Sequence, residues 1–445
     1  MSRMVAGMDW QELYSFASKQ ALLGLCFEDI ERLGNEYPEE LRLNPIGREL
    51  LMTWMGKAQQ IRRQNMKVNA VAGKLFAMLR EDGMRCCVLK GQGNALMYPN
   101  PYSRTPGDID VWIDASRERI MEYAQKKYEL GDDIRLQHLE TSLDGVPVEL
   151  HFFPCSMNNP IYHARLQKWF RRNADLQCSH IVGLPDGAGD IAIPTTAFNV
   201  IYQLCHLYHH FFDEGIGMRQ IIDYFLVVND FSKNVFLDYD FSNHPVPLSK
   251  EGSTFSPSPS QWSLHPLRFP RFRGTETSGS GDVTAPSRCS EPLRSKDGGA
   301  SKPSPDCAGW DRRGVSGDTS SAFTTDSSAS TALVVVQREL KYLGLWKFAG
   351  AVMYVLKEVL GLAEDKMIVP MDEKRGRLLL AEILDGGNFG RHFTKYAGFT
   401  HQSMGKKYFL KIWRNMHFVR YYPAEALSEP IFRTWHFFWR VKNKK

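Results

Sequence analysis

The sequence predicts an α+β fold, with a small mixed sheet and packed helices, a largely helical remainder and a disordered insertion. Three observations predict it. Short apolar or alternating runs, which are typical of strands, fall within residues 83–194. The segments before and after them repeat apolar side chains at the three-to-four-residue spacing of helices. Between residues 244 and 331 that periodicity disappears.

The length of 445 residues predicts about two or three structural units. We divide the chain into a helical N-terminal region (1–82), a core (83–194), a helical region (195–243), a disordered insertion (244–331) and a helical C-terminal region (332–445). Of the 80 residues from Glu251 to Ser330, 35 are Ser, Pro or Gly. That share exceeds the ~25–30% that marks low complexity, so the insertion is assigned on composition.

The elements of the core are predicted from local patterns. They are a strand at 86–90, a short helix at 92–98, a strand at 108–114, a helix at 116–127 and two hairpins, at 134–153 and 181–193. The segment Asp108–Asp114 alternates acidic and apolar residues, which is the period of a strand. Ser116 is a typical N-cap. Asp144-Gly145 and Asp186-Gly187 are typical hairpin turns.

Apolar periodicity predicts helices outside the core, at 8–80 with breaks near Gly34, Pro38 and Pro45, and at 195–212, 217–228, 333–362, 372–384 and 404–420. The last segment, 434–445, mixes aromatic residues with a basic end. We expect a helix packed by its aromatic side chains with a solvated tail. Docking on an anionic membrane surface or on nucleic acid is the alternative.

Composition and charge exclude several classes of protein. The net charge of +5 is weaker than that of a dedicated nucleic-acid binder, so we expect no stable nucleic-acid complex. No run of ~18 apolar residues predicts a transmembrane helix. The N-terminus lacks a secretory pattern, and the 8 cysteines include no CxxC pair. They are interpreted as reduced thiols, which predicts a cytoplasmic location.

The most specific chemical feature is a set of carboxylates. Residues i and i+2 of a strand point to the same side, so Asp108 and Asp110 are expected to converge. Glu149 lies between apolar residues in a later strand and would add a third carboxylate if that strand is adjacent. Three carboxylates can hold two metal ions ~3.5–4 Å apart for phosphoryl transfer. The sequence therefore predicts a metal site at Asp108, Asp110 and Glu149.

Residues around this set predict a phosphate-binding site. Lys90 and Gly91 follow the first strand, where a helix N-terminus would offer backbone donors. Arg104 precedes the acidic strand and is placed to neutralise a triphosphate. Gly107 would let a phosphate approach the backbone. Arg219 is a further candidate for phosphate binding, with Asp223 holding its guanidinium, although a surface ion pair at this i, i+4 spacing is equally expected.

These segments carry a resemblance to a known family. Val88-Leu-Lys-Gly91, Tyr98-Pro-Asn-Pro-Tyr-Ser-Arg104 and Gly107-Asp-Ile-Asp110 resemble the uncharacterised nucleotidyltransferase family of bacterial genomes. That family belongs to the DNA polymerase beta-like nucleotidyltransferase superfamily. The segment from Gly215 to Asp223 is similar to the family's Gly-x-x-Leu-Arg-Gln-x-x-Asp, with one extra residue unless Gly217 is the match. The resemblance covers about residues 1–230 and 332–420.

The resemblance implies a reaction and its cofactor. Members of the superfamily use two Mg²⁺ ions, with Mn²⁺ as an alternative, to transfer a nucleoside monophosphate from an NTP to an acceptor. By position, Asp108 and Asp110 match the paired ligands and Glu149 matches the third carboxylate. Where many members carry Gly-Ser after the first strand, this chain carries Lys90-Gly91-Gln92. The resemblance does not identify the acceptor.

Two other functions remain open from the sequence. A glycosyltransferase also uses an acidic pair to hold a divalent metal and a nucleotide-sugar, but it needs neither Glu149 nor Lys90-Gly91. A catalytically inactive nucleotidyltransferase-fold module could act as a binding partner, although the intact carboxylates argue against it. His206 and His210 are spaced i, i+4, which is compatible with a zinc pair. A helix that lines the nucleotide cleft, or simply a polar helix face, is the preferred interpretation of these histidines.

Overall fold

The computed structural model describes residues 5–128, 130, 135–234, 325–392 and 404–443. The predicted insertion, 244–331, lies outside the described residues except for its last part, because a helix begins at Thr325. Among the helices in the described ranges, none combines the length and the apolarity that a bilayer span requires. Cys26, Cys86, Cys87, Cys155, Cys178 and Cys205 are free thiols, as predicted.

Helices make up most of the described chain. They are α1 (Trp10–Lys19), α2 (Leu23–Glu36), α3 (Pro38–Leu43), α4 (Arg48–Glu81), α5 (Gly91–Ala95), α6 (Arg117–Lys127), α7 (Pro160–Ser179), α8 (Thr196–Asp213), α9 (Met218–Asn234), α10 (Thr325–Tyr342), α11 (Trp346–Leu360), α12 (Glu373–Gly386), α13 (Met404–Met416) and α14 (Pro423–Asn443). Short 3₁₀ turns lie at 185–187, 364–366 and 388–390.

Two sheets lie within the predicted core. The first contains β1 (Cys86–Leu89), β2 (Ile109–Ile113), β3 (His138–Leu143) and β4 (Val146–His151), in the order β1-β2-β4-β3. The second is the hairpin of β5 (Ile181–Gly183) and β6 (Asp190–Ala192). Strand β2 is antiparallel to β1 but parallel to β4, so the larger sheet is mixed, as predicted.

The two faces of the larger sheet have different environments because side chains alternate along each strand. Ile109 and Val111 of β2 lie in an apolar cluster with α4 and α6. Trp112 points to the other face, where it stacks on Phe198 of α8 at 6.2 Å between ring centroids. Helices therefore cover both faces at this end of β2. The acidic residues precede Trp112 on its own face, at the start of the strand.

The structure also differs from the sequence prediction in α7, in the segment 333–362 and in α14. Helix α7 was not predicted, although Asn159 caps it by accepting hydrogen bonds from two backbone N–H groups and Pro160 occupies its first turn. The predicted helix 333–362 is instead two helices, and Gly344 between them has a φ of 75°. In α14, Trp435 and Phe438 are 50% and 65% exposed, so the expected packing of these aromatic side chains is wrong.

Candidate active site

The structure brings the three predicted carboxylates together. Strands β2 and β4 are parallel neighbours, and their register sets Asp110 directly beside Glu149. Asp108 lies two residues before Asp110, at the start of β2. Each of the three offers an oxygen, and these atoms all lie within 4.8 Å of one another. The convergence expected from strand periodicity is therefore present.

Two cationic side chains flank Asp110, which is buried. The Nζ of Lys90 lies 3.1 Å from Oδ2 of Asp110, and Nε2 of His151 lies 3.0 Å from Oδ1. His151 Nε2 is also 3.2 Å from Oε2 of Glu149. Both oxygens of Asp110 are thus held by groups of the protein itself. His151 links the two strands that carry the carboxylates.

The two aspartates of β2 differ in protonation. The nearby charge of Asp110, together with burial, raises the pKa of Asp108 to about 6. Burial opposes the ionisation of Asp110, but the charge of Lys90 and the hydrogen bond from His151 outweigh it and lower the pKa of Asp110. Repulsion between close carboxylates has this effect, since one of them is then the easier to protonate. Asp108 is therefore the easier of the two aspartates to protonate.

His151 carries a proton at neutral pH. Burial disfavours its charged form, but the hydrogen bonds to Asp110 and Glu149 raise the pKa of His151 to about 9. In the same way, burial raises the pKa of Glu149 while the bond from His151 lowers it, and the lowering prevails. The imidazolium therefore donates to both carboxylates. Even so, three carboxylates face two cations, which leaves net negative charge.

Lys90 is positioned by an unusual backbone conformation. Its φ of 51° lies in the left-handed region, which is uncommon for a residue with a side chain. The residue joins β1 to the single turn of α5. Its Nζ also lies 3.2 Å from Nε2 of His206. Burial, and then the charge of Lys90, hold the pKa of His206 well below its usual value, so the neutral imidazole accepts from the ammonium.

A cleft opens beside the carboxylates. Its walls contain every residue predicted to bind phosphate: Lys90, Gly91, Arg104, Gly107 and Arg219. His206 also lines it, as expected for a helix that lines the cleft. Asp108 and Asp110 form its acidic end.

The ion pair expected between Arg219 and Asp223 is replaced by a different one. Asp223 accepts two hydrogen bonds of 2.8 Å from Arg104, and a third of 2.8 Å from Tyr98. Arg219 instead donates to the carbonyl oxygen of Thr105 at 2.9 Å. Arg104 is thus already neutralised inside the protein. Arg219 is the arginine whose charge is less fully matched in the cleft, and its buried Nε makes no hydrogen bond.

A buried amide network fixes the helix above Lys90. Asn94 of α5 and Gln203 of α8 exchange two hydrogen bonds, at 3.0 and 2.6 Å, and Gln203 also donates to Asn199 at 2.9 Å. His206 follows Gln203 by three residues on α8 and therefore lies on the same side of the helix. The network therefore fixes the position of His206 relative to Lys90.

Sequence reasoning missed His138. It lies on β3, directly opposite His151 on β4, and its Nδ1 is 3.4 Å from Oε2 of Glu149. The missing information was the register of the hairpin. Counting back from the predicted turn at Asp144-Gly145 would have paired the two histidines.

The residues present fit a divalent metal. Carboxylate oxygens are the ligands that hard cations prefer, and the group has more negative charge than its own cations balance. Asp108, Asp110 and Glu149 would be the ligands. The described residues offer a second candidate group nearby, in which Glu149 is joined by two histidines.

A family described as uncharacterised nucleotidyltransferases matches residues 6–242, just over half of the chain. The chain therefore belongs to that family. No curated protein matches it. Among solved structures, it is similar to an antigenic nucleotidyltransferase-like protein from Paracoccidioides brasiliensis, with 15% identity and a TM-score of 0.26, over 36% of this chain and 75% of that one.

Proposed function

We propose that the protein is a metal-dependent nucleotidyltransferase that moves a nucleoside monophosphate from an NTP to an acceptor. The observation that carries the proposal is the convergence of Asp108, Asp110 and Glu149 within 4.8 Å at the end of a cleft with cationic walls. Membership of the family supports the same class of reaction. The hydroxyl oxygen of the acceptor would bond to the α-phosphorus as the bond to pyrophosphate breaks, and the hydroxyl proton would pass to solvent.

Mg²⁺ is the proposed cofactor, with Mn²⁺ as the alternative. Asp108, Asp110 and Glu149 would hold it, since these oxygens are hard ligands and lie close together. When bound, such a metal neutralises the phosphates and polarises the reacting phosphorus.

The cationic side chains of the cleft would orient the triphosphate. Lys90 lies at the acidic end, and a phosphate oxygen there is a stronger partner for its ammonium than the neutral His206. Arg219 lies across the cleft, where its Nε is buried without a hydrogen bond. An ionic phosphate would satisfy that donor, which otherwise has a free-energy cost. Positioning and charge neutralisation would supply most of the catalysis.

His151 would orient the carboxylates and not act as a base. Its raised pKa, about 9, keeps the Nε2 proton between Asp110 and Glu149 at neutral pH. A protonated imidazole has no lone pair with which to accept the proton of an acceptor. Its expected role is to hold the two strands' carboxylates in one orientation.

The test is transfer of label from each α-labelled NTP, with Mg²⁺ and a cell extract that supplies acceptors. We expect the wild-type protein to label one acceptor species, and Asp108→Asn and Asp110→Asn to abolish that label. Asp114→Asn is the matched control, because Asp114 follows the same strand but pairs with Arg85 outside the site. It should transfer label like the wild type.

Two other outcomes would replace the proposal. Transfer of sugar from labelled UDP-sugars, without transfer from NTPs, would indicate a glycosyltransferase. No transfer, with unchanged biological activity in Asp108→Asn, would indicate a non-catalytic module. The absence of a stable nucleic-acid complex and the cytoplasmic location remain predictions, and the labelled species would identify the acceptor.

A further inference from the structure

We propose that His138, Glu149 and His151 form a second metal position, selective for a borderline transition metal such as Zn²⁺. The position adjoins the carboxylates and shares Glu149 with them. It adds a second metal ion to the site of the proposed function. The argument for it uses only these three residues and does not depend on the reaction.

The register of the sheet brings the three side chains to one place. His138 and His151 are direct partners across the antiparallel pair β3–β4, and Glu149 lies two residues before His151 on the same face. The two imidazole rings have centroids 4.9 Å apart. One ligand atom from each of the three residues lies within 4.8 Å of the others. Neighbouring strands therefore supply two nitrogens and a carboxylate.

An independent observation is the state of His138. The residue is only 8% exposed, yet neither ring nitrogen makes a hydrogen bond. Its Nδ1 lies 3.4 Å from Oε2 of Glu149. Buried polar atoms are nearly always paired, because leaving them unpaired is costly. A metal ion bound between His138 and Glu149 would satisfy this imidazole.

The donor set distinguishes this position from the carboxylate group. Asp108, Asp110 and Glu149 offer oxygen alone, which suits Mg²⁺. Two imidazoles with one carboxylate suit Zn²⁺ and its neighbours in the transition series. Because Glu149 has two oxygens and belongs to both groups, it can bridge them. The two positions would then hold different metals.

A route to the position exists. A second cleft has His138 in its wall, on the side of β3. His209 and Arg135 also line it. A metal could enter from this side without crossing the nucleotide cleft.

The experiment uses the full chain, stripped of metal and titrated with Zn²⁺ in the presence of millimolar Mg²⁺. Bound zinc is measured by elemental analysis, and Co²⁺ is substituted to record its visible spectrum. We expect His138→Ala to bind one zinc fewer per chain than the wild type. His417→Ala, which removes an exposed histidine on the loop after α13, is the control and should bind zinc like the wild type.

Three results would overturn the inference: equal zinc content in His138→Ala and wild type, displacement of the zinc by Mg²⁺, or a Co²⁺ spectrum without imidazole ligation in the wild type. The Co²⁺ spectrum is recorded on the wild-type protein, so this test remains valid even if His138→Ala fails to fold. His138→Asp, which returns a ligand, should recover part of the zinc.

The result is independent of the proposed function. Asp108→Asn should lose label transfer but keep its zinc, because Asp108 is not among the three ligands. If no protein transfers label while His138→Ala alone loses zinc, the proposed function fails and the metal position stands.

Discussion

Two clusters of charge in this protein are built from similar parts and differ in balance. Around Asp110, the cations Lys90 and His151 face three carboxylates. Around Asp213, Lys411 at 2.8 Å and Arg433 at 3.1 Å face Asp213, and Arg433 also pairs with Glu429. We call the Asp213 cluster balanced because Asp213 and Glu429 each pair directly with a lysine or an arginine, and the Asp110 cluster unbalanced because Asp108 and Glu149 form no such pair among the described residues. The balanced cluster joins helices to one another, whereas the unbalanced cluster can bind a further cation.

The largest expected effect follows from removing the central charge of the unbalanced cluster. Asp110→Asn should lower metal affinity and reduce label transfer by about 10²–10³-fold. Isothermal titration with Mg²⁺ and the transfer assay measure the two effects. If Asp110→Asn transferred label at the wild-type rate, the Asp110 cluster would have only a structural role, like the cluster at Asp213.

A second prediction concerns the buried pair that supports the cleft. Arg104 and Asp223 are each about 5% exposed in their side chains, so Asp223→Ala leaves an unpaired guanidinium inside the protein. The free energy of unfolding should fall by about 3–5 kcal/mol. Urea denaturation measures it. Asp175→Ala, at an 83% exposed position, should change it by less than about 0.5 kcal/mol.

Breaking the balanced cluster should affect stability alone. Asp213→Asn leaves Lys411 and Arg433 without their shared carboxylate, and we expect a loss of about 1–3 kcal/mol in the free energy of unfolding. Metal affinity should equal that of the wild type. A weaker metal affinity in this variant would show that the two clusters are coupled.

The smallest effect is a dependence on pH. The pKa of Asp108 is raised to about 6, so below pH 6 an incoming metal must displace a proton from this carboxyl. Affinity for Mg²⁺ should be constant above pH 7 and fall by up to about tenfold per pH unit below 6. Titrations from pH 5 to 8 measure this. Asp108→Asn should bind weakly at every pH, and an equal slope in that variant would assign the proton to another group.

The sequence predicted features that depend on local periodicity. Asp108 and Asp110 share a face because the strand period is two, and that inference needs no partner. The prediction that Glu149 joins them required one assumption, that its strand lies beside β2. The parallel pairing of β2 and β4 confirms that assumption. The hairpin turns and the Ser116 cap were likewise local.

Features that depend on distant partners were not predictable in the same way. Asp223 pairs with Arg104, 119 residues away, and not with the arginine one turn before it. The contact of Lys90 with His206 spans 116 residues. Nothing in the local pattern distinguishes such a pair from a surface ion pair.

The ion pair between Lys90 and Asp110 affects the order in which ligands bind to the site. While the ammonium holds Oδ2, that oxygen is not free for a metal ion. A triphosphate entering the cleft would draw the ammonium away, and the released oxygen could then accept the ion. Binding of the nucleotide would therefore raise the affinity for the metal. By thermodynamic reciprocity, a bound metal would raise the affinity for the nucleotide by the same factor.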